Sequence, residues 1–263
     1  MADYASFPDL SVEIHDYVAT VEIHRPPHNF FDEVLINSLA DCWEALDDDA
    51  SVRAAMLCAE GKSFCAGANF NAPTQPQPGQ ARPTQGGHLY QQAVRLFRTK
   101  TPVVAAVQGA AVGGGLGLAL WPDFRVASPE ARFTANFARL GFHHGFGLSA
   151  TLPRLVGQQH ALDLLLTGRR IGPDEALAMG MVEKVVPSEA LREEAWAFAR
   201  EIAISAPLAT REIRLTMRGN LAEAVQAATD HELEVQDVLR KTEDFKEGVR
   251  AYTERREPNF QGK

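Results

Sequence analysis

Residues 101–123 read TPVVAAVQGAAVGGGLGLALWPD, and this stretch decides the fold. It begins with an apolar, β-branched run at 102–107, which predicts a fully buried strand. Gln108 and Gly109 interrupt the run, and three consecutive glycines at 113–115 then lead into an apolar helix at 116–120. Because glycine loses more backbone entropy on folding than alanine does, three in a row indicate that something approaches the main chain closely there.

The start of that helix is therefore predicted to bind an oxygen that gains negative charge. The first turn of a helix presents free N–H groups and the positive end of its dipole, and both stabilise such an oxygen. Two other interpretations stay open: a glycine-rich packing turn without a ligand, and a membrane-spanning helix, against which Gln108 and the closing Trp121-Pro122-Asp123 argue. The spacing matches neither a dinucleotide-binding GxGxxG motif nor a P-loop.

Length, charge and cysteine content limit the class of protein. The 263 residues predict one large domain, or one domain with an appendage. A formal net charge of −8 without a basic cluster argues against a nucleic-acid partner. Cys42, Cys58 and Cys65 are odd in number and lack metal-ligand spacing, so we expect buried free thiols in a reducing compartment and no metal site. The N-terminal residues show no signal peptide, so a cytoplasmic location without a membrane is expected.

The remaining pattern alternates strands with helices and then becomes helical. A hairpin is predicted at 12–23, a helix after the N-cap Asp32, a buried strand at 52–59 and a helix at 88–97. Residues 71–87 are rich in Pro, Gln, Gly and Thr and predict a loop, either a flap beside a site or plain surface. Later elements are predicted in this order: strands at 124–127 and 133–135, helices at 148–156, 159–166 and 174–179, a strand at 182–186, and mostly helix at 188–256 with amphipathic patterns at 208–217 and 221–252. This order predicts an α/β fold with a helical C-terminal third.

A second turn of small residues repeats the theme of the first. Residues 60–70 read EGKSFCAGANF and follow the strand predicted at 52–59, so their main chain is also expected to be accessible. Cys65 within this turn has two interpretations, a nucleophile or a small buried thiol. Because no histidine lies near it in the sequence, the buried thiol is expected.

These motifs recur together in one known family. The pieces are FCAGAN at 64–69, PVVAAVQG at 102–109 with the glycines at 113–115, Asp123, Arg25-Pro26 with Asn29, and LTG at 166–168. Taken together they resemble the crotonase (enoyl-CoA hydratase/isomerase) superfamily, and the resemblance extends over nearly the whole chain. It implies a crotonase-type spiral of repeated β-β-α units at 1–200, which holds an acyl-CoA site, and a helical oligomerisation region at 201–263 that builds trimers or hexamers.

The resemblance also implies a site. The backbone N–H groups of Ala68 and Gly114 are expected to form an oxyanion hole that stabilises a thioester enolate, with each donor contributing about 2.7–4 kcal/mol at the transition state. No cofactor is expected beyond the coenzyme A that is part of the substrate. The substrate-binding residues that it implies are Pro27, His28, Ala66, Gly67, Ala68, Asn69, Gly113, Gly114, Phe137, Tyr252 and Arg255.

The chain departs from the family at the catalytic acids. Hydratases of this family carry two glutamates, and the matching positions here hold Gly117 and Phe137, neither of which can transfer a proton. His143 and His144 follow in a glycine-punctuated loop and are predicted to do general acid–base work in their place, because imidazole titrates near neutral pH. The alternative is that both histidines only pack and hydrogen-bond.

Three functions therefore stay open. The first is an enzyme of the hydratase/isomerase type that uses the histidine pair. The second is another acyl-CoA reaction on the same scaffold, such as thioester hydrolysis, decarboxylation or a double-bond shift. The third is a protein that binds acyl-CoA without chemistry, which the loss of both carboxylates suggests.

Overall fold

A computed structural model describes residues 4–69 and 89–263. Within these ranges there are nine β-strands: β1 (Leu10–His15), β2 (Val18–Ile23), β3 (Ala54–Ala59), β4 (Val103–Val107), β5 (Ala110–Val112), β6 (Phe124–Ala127), β7 (Arg132–Thr134), β8 (Arg170–Ile171) and β9 (Lys184–Val185). The same ranges hold nine α-helices: α1 (Glu33–Asp48), α2 (Leu89–Arg98), α3 (Gly114–Leu120), α4 (Leu148–Thr167), α5 (Pro173–Ala178), α6 (Leu191–Ala203), α7 (Pro207–Arg218), α8 (Leu221–Leu239) and α9 (Glu243–Glu254). Three short 3-10 helices complete them: Tyr4–Ser6, Ala138–Leu140 and Ser188–Ala190.

The larger sheet has the strand order β1-β2-β3-β4-β6-β9, with an antiparallel β1–β2 hairpin and parallel pairing elsewhere. Helix α6 covers one of its faces with Ala195, Ala199 and Ala203, which are spaced four residues apart along one helix face. Alternate residues of β3 face opposite sides of the sheet: Met56 packs towards α6, and Leu57 packs towards the main hydrophobic core. Every residue of β3 is buried, which explains its continuous apolar sequence.

A smaller sheet has the order β5-β7-β8, and one isolated bridge joins it to Cys65, directly before the turn of small residues at 66–68. In this bridge Cys65 pairs in parallel with Ala111 of β5. The stretch at 101–123 is therefore two short strands and a helix, not one continuous helix. None of the helices in residues 4–69 and 89–263 combines the length and the hydropathy that crossing a bilayer requires.

Asp123 anchors the central stretch to the C-terminal helices. Its carboxylate accepts hydrogen bonds from the amide of Val103 (2.8 Å), from Nε of Arg214 (2.7 Å) and from Nε of Arg218 (2.8 Å). Burial alone raises the pKa of Asp123, but the two arginines outweigh burial, and the pKa lies below its usual value. The start of β4 and helix α7 are thereby held together by buried charges.

Most of the predicted elements are confirmed. The hairpin forms, and Asp32 caps α1 by accepting a hydrogen bond from the Leu35 amide at 3.0 Å. The two helices predicted at 148–166 are joined in α4 across Gly157, whose backbone is not helical. The predicted loop at 71–87 and residue 88 of the predicted helix lie outside the described residues.

Two predictions need correction. The strand predicted at 182–186 contains only β9, because just two residues pair with β6. The helical pattern at 221–252 is two helices, because Thr242 caps α9 by accepting a hydrogen bond from the Phe245 amide. Helix α6 continues through residue 200, where a boundary between core and C-terminal region was predicted. That boundary stays a prediction.

Candidate active site

The turn at 66–68 lies directly against the end of β5. The Cys65 amide donates to the Ala110 carbonyl (3.0 Å), and the Val112 amide donates to the Cys65 carbonyl (3.0 Å). Gly67 has a φ of +79°, and a Cβ there would lie 2.6 Å from the Val112 carbonyl oxygen. Both the backbone conformation and the space therefore require glycine at this position.

The start of α3 also lies beside the turn at 66–68. The Gly113 amide donates to the Thr134 carbonyl (2.8 Å), and α3 begins at the buried Gly114. A Cβ on Gly67 would lie 3.8 Å from the Gly114 nitrogen, so the two turns are in contact. Within the described part of the chain, the amides of Ala68 and Gly114 donate no hydrogen bond to another residue. The chain therefore has two main-chain N–H donors close together that are available to a ligand.

Both amides border a cavity whose walls are largely aromatic. Six aromatic side chains line it: Phe30, Phe31, Tyr90, Phe137, Phe142 and Tyr252. The other lining residues are Leu140, Asn136, Asn69, Arg240 and the two stretches 66–68 and 112–114. The ring of Phe31 lies over the start of α3, and a Cβ on Gly114 would be 2.3 Å from Phe31 Cζ. An apolar wall with a few polar groups is typical of a pocket for a small organic ligand.

The structure brings most of the predicted site residues to this cavity. Those that line it are Ala66, Gly67, Ala68, Asn69, Gly113, Gly114, Phe137 and Tyr252. Pro27, His28 and Arg255 are exposed and do not line it in the described part of the molecule. The carbonyl of His28 nevertheless accepts a hydrogen bond from the Ala66 amide at 2.9 Å, so this loop lies beside the turn at 66–68. The roles predicted for all of these residues stay predictions.

The structure does not bring the histidine pair to the cavity lining that it describes. The rings of His143 and His144 stack at 4.0 Å, and Nδ1–H of His143 donates to the His144 carbonyl (2.8 Å). Ser149 Oγ donates to the buried carboxylate of Glu232 (2.7 Å), so it accepts from Nε2–H of His144 (2.8 Å). Burial, with the charges of His143 and His231, lowers the pKa of His144 to about 4. His144 is therefore neutral near pH 7, and its N–H is used within the protein; the catalytic role predicted for the pair stays untested.

Gly117 and Phe137, the two positions that the resemblance matches to the family's glutamates, carry no side chain that can transfer a proton. A Cβ on Gly117 would lie 2.6 Å from Cδ1 of Phe146, so that ring occupies the space that a longer side chain needs. Phe137 lines the cavity with its ring. Cys65 is fully buried, and burial raises its pKa to about 12, so its thiol stays protonated, as the buried-thiol interpretation expects.

Sequence reasoning missed Tyr90 and Arg240, which also line the cavity. Tyr90 lies on α2 and Arg240 follows α8, and both stretches were predicted as helices with no role in a site. A tyrosine on the apolar face of a short helix reads as a core residue, so the sequence holds no signal that separates the two cases. The contact between α2 and α8 is what places both side chains at the cavity.

A spiral α/β core in which two main-chain amides, without a partner among the described residues, border an aromatic cavity indicates a class of enzyme that polarises a carbonyl oxygen. The model of the family described as Enoyl-CoA hydratase/isomerase matches residues 13–263. The chain belongs to this family, the crotonase superfamily, and it is an enzyme of the enoyl-CoA hydratase/isomerase type.

Similar proteins match over nearly their whole length. The (E)-benzylidenesuccinyl-CoA hydratase of Thauera aromatica is 34% identical, over 96% of this chain and 99% of its own. The 1,2-epoxyphenylacetyl-CoA isomerase of Escherichia coli K12 is 31% identical, over 94% of this chain and 95% of its own. The crystal structure of an enoyl-CoA hydratase/isomerase from Pseudoalteromonas atlantica T6c superposes with a TM-score of 0.84 at 32% identity, over 96% of this chain and 100% of that one.

Proposed function

We propose that this protein binds an acyl-CoA thioester and stabilises its enolate through the main-chain amides of Ala68 and Gly114. The observation that supports this is the pair of unused donors at one cavity, beside turns that only glycine allows. An enolate oxygen carries the negative charge that such donors favour, and the apolar wall strengthens the interaction by excluding water. No further cofactor takes part, because the thioester supplies the acidity at its α-carbon.

The acyl group is an aromatic one. Phe30, Phe31, Phe137 and Phe142 supply ring faces and edges against which an aryl group packs favourably. Phe137 and Phe142 already form an edge-to-face pair with ring centroids 5.3 Å apart. Two of the relatives carry names with aromatic thioesters, benzylidenesuccinyl-CoA and epoxyphenylacetyl-CoA, which supports the same substrate class.

The reaction is of the hydratase/isomerase type without the two glutamates. Neither Gly117 nor Phe137 can hold a water molecule for attack, and the cavity has few polar groups. These observations support a second candidate reaction beside hydration, namely a double-bond shift or a decarboxylation. Crotonyl-CoA, cinnamoyl-CoA and methylmalonyl-CoA are incubated separately with the purified protein. Liquid chromatography followed by mass spectrometry then distinguishes hydration and decarboxylation, which change the mass, from a double-bond shift, which changes only the retention time. Tight binding without any product would identify a protein that only holds acyl-CoA.

One pair of variants tests the oxyanion hole directly. Ala68→Pro removes the amide hydrogen, whereas Ala68→Ser keeps it and adds one hydroxyl at an exposed position. If the amide stabilises the enolate, Ala68→Pro lowers kcat about 10²–10³-fold and Ala68→Ser leaves it nearly unchanged. Equal rates for the two variants, with both proteins folded by circular dichroism, would contradict the proposal.

The protein is further proposed to act as a homotrimer or hexamer in the cytoplasm, without a nucleic-acid or membrane partner. Helix α7 exposes large apolar side chains, with Leu208 79% and Met217 72% exposed, and a subunit interface would cover such a face. Sedimentation equilibrium measures the mass of the assembly, and a monomer at micromolar concentration would contradict this proposal.

A further inference from the structure

The lining of the cavity contains one buried acid. Of the described lining residues, Tyr90 and Tyr252 carry side-chain protons that can be transferred to carbon, since the arginine guanidinium does not deprotonate in proteins. The two tyrosines differ in their surroundings, because Tyr90 is 6% exposed and Tyr252 is 56% exposed. Proton transfer to carbon needs a donor that is shielded from bulk water. Of the two tyrosines only Tyr90 is buried, so Tyr90 is the candidate.

Gln236 fixes the orientation of Tyr90 from helix α8. Its side chain is fully buried; Nε2 donates to the His143 carbonyl (2.9 Å) and Oε1 accepts from Arg240 (2.8 Å). These two contacts decide which end of the amide faces Tyr90, and the second Nε2 hydrogen is directed to the tyrosine oxygen. Gly145 leaves the space for this pair, since a Cβ there would lie 2.4 Å from the Tyr90 ring and 2.7 Å from Gln236 Nε2.

The surroundings of Tyr90 keep its hydroxyl protonated. Burial raises the pKa of Tyr90, and the opposing effects of Gln236 and Arg240 do not cancel it, so the hydroxyl is neutral at ordinary pH. A continuous aromatic wall connects it to the amides: Tyr90 packs against Phe146 (5.9 Å between ring centroids), and Phe146 packs against Phe31 (5.8 Å). The ring of Phe31 in turn lies over Gly114.

We propose that Tyr90 is a catalytic residue that donates its hydroxyl proton to the α-carbon of the thioester enolate. This inference rests on the function proposed above. The phenolic O–H bond breaks, the enolate's electron pair forms the new C–H bond, and the thioester carbonyl is restored. The phenolate formed is stabilised by the Gln236 amide and the charge of Arg240, and it recovers its proton from water. Gln236 is a positioning residue.

Turnover in D2O tests this with a readout that a structural role does not affect. For whichever of crotonyl-CoA, cinnamoyl-CoA and methylmalonyl-CoA the wild type converts, the product gains one deuterium at the α-carbon. The wild type is expected to place it in a single configuration. Tyr90→Phe keeps the ring and removes the donor, so kcat falls about 10²–10⁴-fold, as is usual for loss of a general acid, and solvent places deuterium in both configurations. The Kd for the thioester is expected to stay within threefold.

Three further variants separate the explanations. Tyr17→Phe is the matched control, since Tyr17 is 43% exposed and lies under the Arg53 guanidinium, outside the cavity lining. Gln236→Leu keeps Tyr90 but removes the amide that orients its hydroxyl, so a partial loss of rate and of deuterium selectivity is expected. If Tyr252→Phe loses the selectivity and Tyr90→Phe keeps it, the assignment to Tyr90 is overturned.

The outcomes also separate this inference from the proposed function. A wild type that converts a thioester with no difference from Tyr90→Phe in rate or configuration overturns the inference alone. Conversion by hydrolysis, without deuterium at the α-carbon, overturns the inference and leaves the oxyanion hole standing. A wild type that turns over none of the three thioesters overturns both.

Discussion

Gly114→Ala is the substitution that most directly tests the geometry of the oxyanion hole. The new Cβ would lie 2.3 Å from Cζ and 2.6 Å from Cε1 of Phe31, whereas ordinary contacts are 3.4–4 Å. The ring or the start of α3 must therefore retreat by about 1 Å, and a misplacement of that size costs a catalytic group about 10²-fold in rate. We expect kcat to fall about 100-fold. Overpacking of this kind also costs about 1–3 kcal/mol of stability.

Steady-state kinetics on the converted thioester measure this effect, with thermal denaturation on the same samples. Gly172→Ala is the matched control, because Gly172 has an ordinary φ of −88° and a Cβ there meets nothing within 4 Å. A second change, Phe31→Ala, removes the clashing ring atoms and should restore part of the lost rate. A folded Gly114→Ala protein with the wild-type kcat would refute the role assigned to this amide.

Two other predictions follow from buried groups. Asp123→Ala leaves the arginines of α7 without their carboxylate, so we expect a loss of about 3–5 kcal/mol in urea denaturation at neutral pH. Because the folded pKa of Asp123 is lowered, its stabilisation is complete above the ordinary carboxyl pKa and is lost as the pH falls through the folded value; wild type and variant should therefore converge in acid. Gly117→Glu restores a family carboxylate, but Phe146 fills its space, so we expect a lower Tm and no gain in crotonyl-CoA hydration. A stable Gly117→Glu protein with new hydratase activity would contradict the packing argument.

The sequence predicts the elements whose signals are local. The β1–β2 hairpin, strand β4 and the glycine-led start of α3 follow from side-chain periodicity and from turn residues within a few positions. The break between α8 and α9 was missed although Thr242 and the acidic residues after it form an N-cap signal, because the amphipathic pattern continues across the break. Strand β9 was predicted too long, since its length depends on how many residues of β6 remain to be paired.

The same distinction applies to the candidate site. The glycines of the two turns indicated close main-chain approach, and the structure does bring these turns together. The choice of the Ala68 and Gly114 amides came from the family resemblance, and their role stays a prediction. Tyr90 was not predictable, since its role depends on Gln236 and Arg240, which come from the far end of the chain. His144 shows the limit from the other side: an imidazole in a glycine-rich loop looks reactive, and its contact with Ser149, which in turn donates to Glu232 of α8, cannot be read from the sequence. The catalytic role of His144 stays a prediction.

A main-chain oxyanion hole separates the two demands that enolate chemistry makes on a protein. Stabilising the oxygen needs only N–H groups, which every residue except proline supplies, so the side chains around the cavity can change without losing it. Moving the proton needs a side chain of suitable acidity, and its position decides which carbon and which face receive the proton. In this chain Phe146 closes the space at Gly117, and Phe137 occupies the other position that the resemblance matches to a glutamate, so the proposed acid comes from another wall. Helices α2 and α8 border that wall, so Gly117 and Phe137 at the two matched positions are compatible with catalysis.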